Sequence, residues 1–123
     1  MGMRPRDVVQ AWVDAFNRAD ADALSAFYHV DAVNHQVAES AVKGREAIRA
    51  NFAAEFARAK MLCITESLFE DGEWVILEWR DPLGLRGCGL FHVIDDRIAL
   101  QRGYWDKLSF LKLHSLPLPP VST

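Results

Sequence analysis

Asp106 closes the run Tyr104-Trp105-Asp106, an acid beside two aromatic residues, and His92 stands on the strand candidate just before it. A carboxyl group shut inside an apolar cavity holds its proton more tightly, because burial penalises the charged form. Its pKa then moves toward neutrality, where it can give or take a proton at carbon or oxygen. Asp106 is therefore a catalytic candidate, on one condition: the sheet must turn it inward. In a regular last strand Arg102, Tyr104 and Asp106 share one face, and Gln101, Gly103 and Trp105 the other. A bulge near Gly103 would reset that register and bring Asp106 in. Two plainer roles stay open. Asp106 could cap a helix that begins at Lys107, and His92 could face solvent or a subunit interface.

Binding candidates come from the same alternation. Asn34 and Gln36 share a face of the first strand candidate, where they could orient a ligand carbonyl or simply satisfy neighbouring backbone. Trp79 shares its face with Val75 and Leu77, opposite Ile76, Glu78 and Arg80, so it is pocket wall or plain core. Phe16 and Phe56 lie on apolar helix stripes with Trp12 and Phe52, core first and wall as a consequence. With Tyr104 and Trp105, these make Asn34, Gln36, Trp79, Phe16 and Phe56 the ligand-binding set. His29, His35, His92 and His114 show no metal-ligand spacing, and no metal site is expected. Cys63 and Cys88, on separate strand candidates, read as reduced thiols.

The elements that must position these residues fall into two blocks. Residues 5–18 read as a helix, with Pro5 in the first turn, Asp7 at the positive end of the dipole, and Val9, Trp12, Val13 and Phe16 on one face. A short helix over 22–28, capped by Asp22, leads into a strand at 32–37. After a loop at 38–43, a helix over 44–59 carries Ile48, Phe52 and Phe56 at four-residue intervals. The period then changes to two, with strands at 62–69, 73–80, 87–94 and 98–106. Asp71-Gly72 and Asp95-Asp96 are the hairpin turns. Pro117-Leu118-Pro119-Pro120 suits neither a helix nor an inner strand. The pattern predicts one α+β domain over 1–113 with a Pro-rich tail at 114–123. In it, three helices of the N-terminal half cover the concave face of a cone-shaped, mainly antiparallel sheet.

Half of the 123 residues are hydrophobic, and 14 basic residues against 17 acidic ones give a net charge of −3 with no basic cluster. Nucleic-acid binding thereby loses its electrostatic support. No apolar run is long enough for a bilayer and the N-terminus lacks a signal-like apolar stretch, so a cytoplasmic location without membrane association is expected.

Three patterns resemble the nuclear transport factor 2-like superfamily and, within it, the SnoaL-like polyketide cyclase group. They are Ala23-Leu24-Ser25-Ala26-Phe27-Tyr28-His29-Val30-Asp31-Ala32-Val33, the Lys43-Gly44-Arg45-Glu46-Ala47-Ile48 helix start, and the Phe91-His92-Val93-Ile94-Asp95-Asp96-Arg97-Ile98 hairpin leading to Tyr104-Trp105-Asp106. The resemblance covers residues 5–113. It implies an acid/base Asp at the end of the last long strand, the place of Asp106, with His92 on its neighbour and no cofactor. Against limonene epoxide hydrolases, which resemble this chain in the same way, Asp81 matches one of two required Asp residues. Trp79 and Gly103 replace the Arg and the other Asp. Steroid isomerases would want an Asp near Gln36, which cannot act as a base. The expectation is a small-molecule-pocket protein, of aldol-cyclase or isomerase type acting on an apolar ketone or ester. The alternatives are a non-catalytic module that sequesters an apolar metabolite and a dimeric scaffold. The resemblance also implies a homodimer through the outer sheet face.

Overall fold

Residues 2–120 are described by the structure, a computed structural model. Met1 and residues 121–123, the end of the expected tail, lie outside them. The elements run α1 (Pro5–Asn17), α2 (Ala21–Ser25), β1 (Tyr28–Gln36), β2 (Val42–Lys43), α3 (Arg45–Arg58), β3 (Ile64–Asp71), β4 (Trp74–Arg80), β5 (Arg86–Ile94), β6 (Arg97–Trp105) and α4 (Lys107–Leu113). The strands form one sheet of order β2-β1-β6-β5-β4-β3. Only the β1–β6 pairing is parallel. The fold is the expected α+β one, a curved, mostly antiparallel sheet with helices of the N-terminal half laid across it.

Three local readings are corrected. The second helix ends at Ser25 and is capped by Asp20, whose carboxylate accepts the Ala23 amide, so the strand begins earlier, at Tyr28. Tyr28 read as a helix end because Phe27 extends the apolar face begun by Leu24. Its ring is in fact fully buried, and its strand pairs with Ile98. The loop at 38–43 holds the two-residue strand β2. Residues after Asp106 add a fourth helix at the end of the chain. Asp95 and Asp96 both adopt positive φ (50° and 65°), the geometry of a tight hairpin turn made without glycine.

The core lies between α1, α3 and the concave face. Val8, Val9, Trp12, Val13, Ile48 and Phe52 come down from the helices onto Tyr28, Val75, Leu77, Phe91, Val93 and Ile98. A chain of polar groups crosses this apolar layer. The Trp12 indole N–H donates to the Tyr28 hydroxyl at 2.8 Å, and that hydroxyl donates to Oε1 of buried Gln101. Burial pushes the Tyr28 phenol far above its ordinary range, so it stays a neutral donor.

The register between β5 and β6 shifts once. His92 faces Leu100 and Val93 faces Ile98, leaving Ala99 as an extra residue in β6. Ile98 on one side of this bulge, and Gln101 and Gly103 on the other, are all buried.

Tyr28→Phe would leave the Trp12 N–H and the Gln101 carbonyl unpaired in the core. It should cost about 2–4 kcal/mol in urea unfolding, since each orphaned buried group costs roughly 1–3 kcal/mol.

Candidate functional site

The registers gather one set of side chains at one end of the sheet. Trp79 on β4 faces Gly87 on β5, which faces Trp105 on β6, while Gln36 on β1 faces Gly103. The same end receives the C-terminus of α1. The Asn17 amide donates to the Cys63 carbonyl at 3.0 Å, and its oxygen accepts the Cys63 N–H at 2.7 Å, just before β3 begins opposite Arg80. Phe16 and Phe56, with ring centres 5.4 Å apart, close the helix side. We refer to this end of the curved sheet as its mouth.

Two glycines shape it. A Cβ on Gly87 would lie 2.3 Å from the Trp79 ring, so that indole rests directly on the β5 backbone. A Cβ on Gly103 would lie 1.9 Å from Gln36 Oε1, so the amide lies across β6. Gln36 Oε1 accepts the Trp105 indole N–H at 2.9 Å, and Gln36 Nε2 donates to Asn34 Oδ1 at 2.8 Å. Asn34, Gln36, Trp79 and Trp105 thus stand together, with Phe16 and Phe56 opposite in the aromatic cluster of the helices.

Asp106, His92 and Tyr104 do not join them. Asp106 is the exposed N-cap of α4, where its carboxylate accepts the Ser109 N–H at 3.0 Å and the Ser109 hydroxyl. Those two bonds favour the anion and hold its pKa below the ordinary carboxylate value, opposite to the shift a neutral-pH general acid needs. The alternation explains this: the bulge at Ala99 sends Trp105 inward, and the next residue is already outside the sheet. His92 lies on the convex face, stacked on Trp74 with ring centres 4.4 Å apart and 3.1 Å from Glu73. Its partner Leu100 is six residues before Asp106, about 20 Å at strand rise. Tyr104 also faces outward, 44 % exposed. The expected acid–imidazole pair is therefore not assembled, and Tyr104 cannot line the cone.

A different acid and imidazole meet at the mouth. Asp81, only 7 % exposed, follows β4. Its Oδ1 accepts the Leu83 and Leu85 amides, both at 2.9 Å, and its Oδ2 lies 2.8 Å from His114 Nε2. Asp81 opens the turn Asp81-Pro82-Leu83-Gly84, whose proline and glycine favour a reversal of the chain. Its partner has no local signal, because His114 stands far along the chain at the start of the expected tail. Among the described residues no buried side-chain nitrogen or oxygen lacks a partner, and no three His, Cys, Asp or Glu side chains converge as metal ligands would. Among the described residues no helix is long and apolar enough to cross a membrane.

The SnoaL-like domain family model matches residues 9–101. The chain belongs to the SnoaL-like domain family. Its fold is shared with a Catenulispora acidiphila protein of ketosteroid isomerase-like fold, solved with trimethylamine. That protein is 19 % identical, with TM-score 0.82 over 96 % of this chain and all of that one (100 %). An LEH-like epoxide hydrolase from M. tuberculosis is 27 % identical, with TM-score 0.78 over 89 % of this chain and 87 % of that one. A Sinorhizobium meliloti protein assigned as a polyketide cyclase is 23 % identical, with TM-score 0.73 over 80 % and 94 %. No curated protein matches the sequence.

Because the capping bond lowers the Asp106 pKa on folding, its stabilisation is present above the unfolded value and is lost as pH falls through the folded one. The Ser109 amide resonance should accordingly titrate below the ordinary carboxylate range. Asp106→Asn, still a good cap, should leave amide exchange in α4 near wild type, whereas Asp106→Ala should speed it severalfold.

Proposed function

We propose that this SnoaL-like domain binds a small, largely apolar metabolite in the mouth of its cone, as a homodimer, without using Asp106 or His92 as acid and base. The observation that carries the reading is the convergence of Trp79 and Trp105 with the Asn34–Gln36 amide pair. Indole faces supply apolar area, and a few fixed amides in an otherwise greasy mouth can exchange their mutual bonds for one ligand carbonyl. Binding of this kind needs only hydrogen bonds and apolar contact, so neither a metal nor an organic cofactor enters the reading.

The experiment is a titration with the amphipathic, anionic fluorophore 1-anilinonaphthalene-8-sulfonate, followed by energy transfer from tryptophan. Saturable binding that Trp79→Ala weakens about tenfold supports the site; binding unchanged by that substitution discards it. A panel of apolar ketones and esters competing with the fluorophore then gives the ligand class.

The enzymatic alternative moves from Asp106 and His92 to Asp81 and His114, favoured by the buried carboxylate set 2.8 Å from the imidazole. A carboxylate that fixes one ring nitrogen leaves the other free to take a proton. On this reading Asp81→Asn abolishes turnover of an activated ketone or epoxide while urea unfolding stays cooperative. Absence of turnover in the wild-type protein across such a panel leaves the binding reading alone.

The homodimer reading rests on the convex face. Phe69 and Ile76 are 58 % and 39 % exposed there, beside Tyr104 and the Trp74–His92 stack, with Glu78, Arg80 and Arg102 interspersed. A second copy would cover that patch, and Ile76→Glu should yield a monomer in sedimentation velocity. Cys88 belongs to the same face and is partly exposed, whereas burial pushes the Cys63 thiol up to about 12. A maleimide should therefore label Cys88 first, and more slowly as protein concentration drives dimer formation.

A further inference from the structure

The mouth that the binding reading assigns to a ligand is crossed by the chain's own last helix. β6 delivers Trp105 to the concave side, and α4 starts two residues later. From there Phe110 folds back onto the Trp105 ring, with centres 5.4 Å apart. Next, Phe110 lies 4.6 Å from the His114 ring, and His114 reaches Asp81 at 2.8 Å. Asp81 follows β4, so α4 spans from the end of β6, past the β4–β5 turn, to the end of β4. It lies over the end where Trp79, Trp105 and Gln36 stand.

Little else holds it. No residue of α4 is buried; of its three leucines Leu108 and Leu113 are 46 % and 41 % exposed and Leu111 is partly covered. Besides Phe110, Leu111 and His114, its ties to the body are the Asp106 cap at its start and an exposed Lys107–Glu39 pair at 3.3 Å. Elements with few buried apolar contacts open locally at low free energy. The anchoring carboxylate differs from the helix it anchors: Asp81 is fixed by two backbone amides of its own turn and stays in place when α4 leaves. One end is a fixed catch, the other a small mobile bolt.

We propose that α4 is an intrinsic latch, closed by His114 on Asp81 and by Phe110 on Trp105, which occupies the ligand's place until the ligand displaces it. This rests on the binding reading above and adds its regulation. The latch reduces apparent affinity by the fraction of molecules that are open, so weakening either contact raises affinity with no new ligand contact. Loss of one contact worth about 1.4 kcal/mol would tighten binding tenfold.

The test uses the full chain and 1-anilinonaphthalene-8-sulfonate as the probe. His114→Ala and Phe110→Ala should each bind it roughly tenfold more tightly than wild type, with faster amide exchange in α4. The control Leu108→Ala, on the exposed side of the helix, should match wild type. Affinity that is unchanged or weaker in both single alanine variants overturns the latch and leaves the binding reading standing. Absence of saturable binding in every variant overturns both.

Discussion

One extra residue in one strand decides what this molecule can do. A strand alternates its side chains between faces, so slipping by a single position exchanges the whole set. Ile98 faces the core; without a bulge, Arg102, Tyr104 and Asp106 would follow it there. Ala99 absorbs one position opposite the His92–Val93 step, and from that point Gln101, Gly103 and Trp105 turn inward. Gln101 then meets the Tyr28 hydroxyl, and Trp105 meets Gln36. The acid is left outside, at the first turn of a helix. An arrangement that appeared to hold a carboxylate in a cavity instead holds an indole N–H against an amide.

The interior chemistry that results is neutral. Tyr28, Trp12 and Gln101 satisfy one another, as do Asn34, Gln36 and Trp105. A buried polar group left unpaired is expensive in a low-dielectric core, and satisfied networks of this kind specify one packing. These groups form hydrogen bonds without becoming charged, which suits orientation of a guest better than proton transfer. Among the described residues the one buried carboxylate is that of Asp81, held by two backbone amides and an imidazole rather than left free. Family membership is silent on the choice, since the structural neighbours include an epoxide hydrolase and a protein assigned as a cyclase as well as proteins of unknown function.

Room for large side chains at the mouth comes from residues without any. Trp79 and Gln36 lie flat because Gly87 and Gly103 stand opposite them on neighbouring strands. A methyl group at Gly87 would have to displace the Trp79 ring, and one at Gly103 the amide end of Gln36. The same two strands present a different surface on their convex side, where Ile76, Tyr104 and the Trp74–His92 stack remain outside. A single alternation therefore gathers indoles and amides on one face and leaves an apolar patch on the other.

Periodicity alone determined the plan of the fold: the helices at Pro5 and Arg45, the switch to period two after residue 60, and the placing of Val75, Leu77 and Trp79 on one face. Those features are set by contacts between near neighbours, and near neighbours are what a sequence displays. Asn34 and Gln36 were legible as a pair for the same reason. Bulge position is another matter, because it depends on which residues of the partner strand find their hydrogen bonds. The expected bulge near Gly103 and the actual one at Ala99 differ by four residues and give opposite fates to Asp106. Tyr28 with Gln101, and Asp81 with His114, are joined across long stretches of chain by packing alone. Only the tertiary structure could bring them together, since nothing local in either partner names the other.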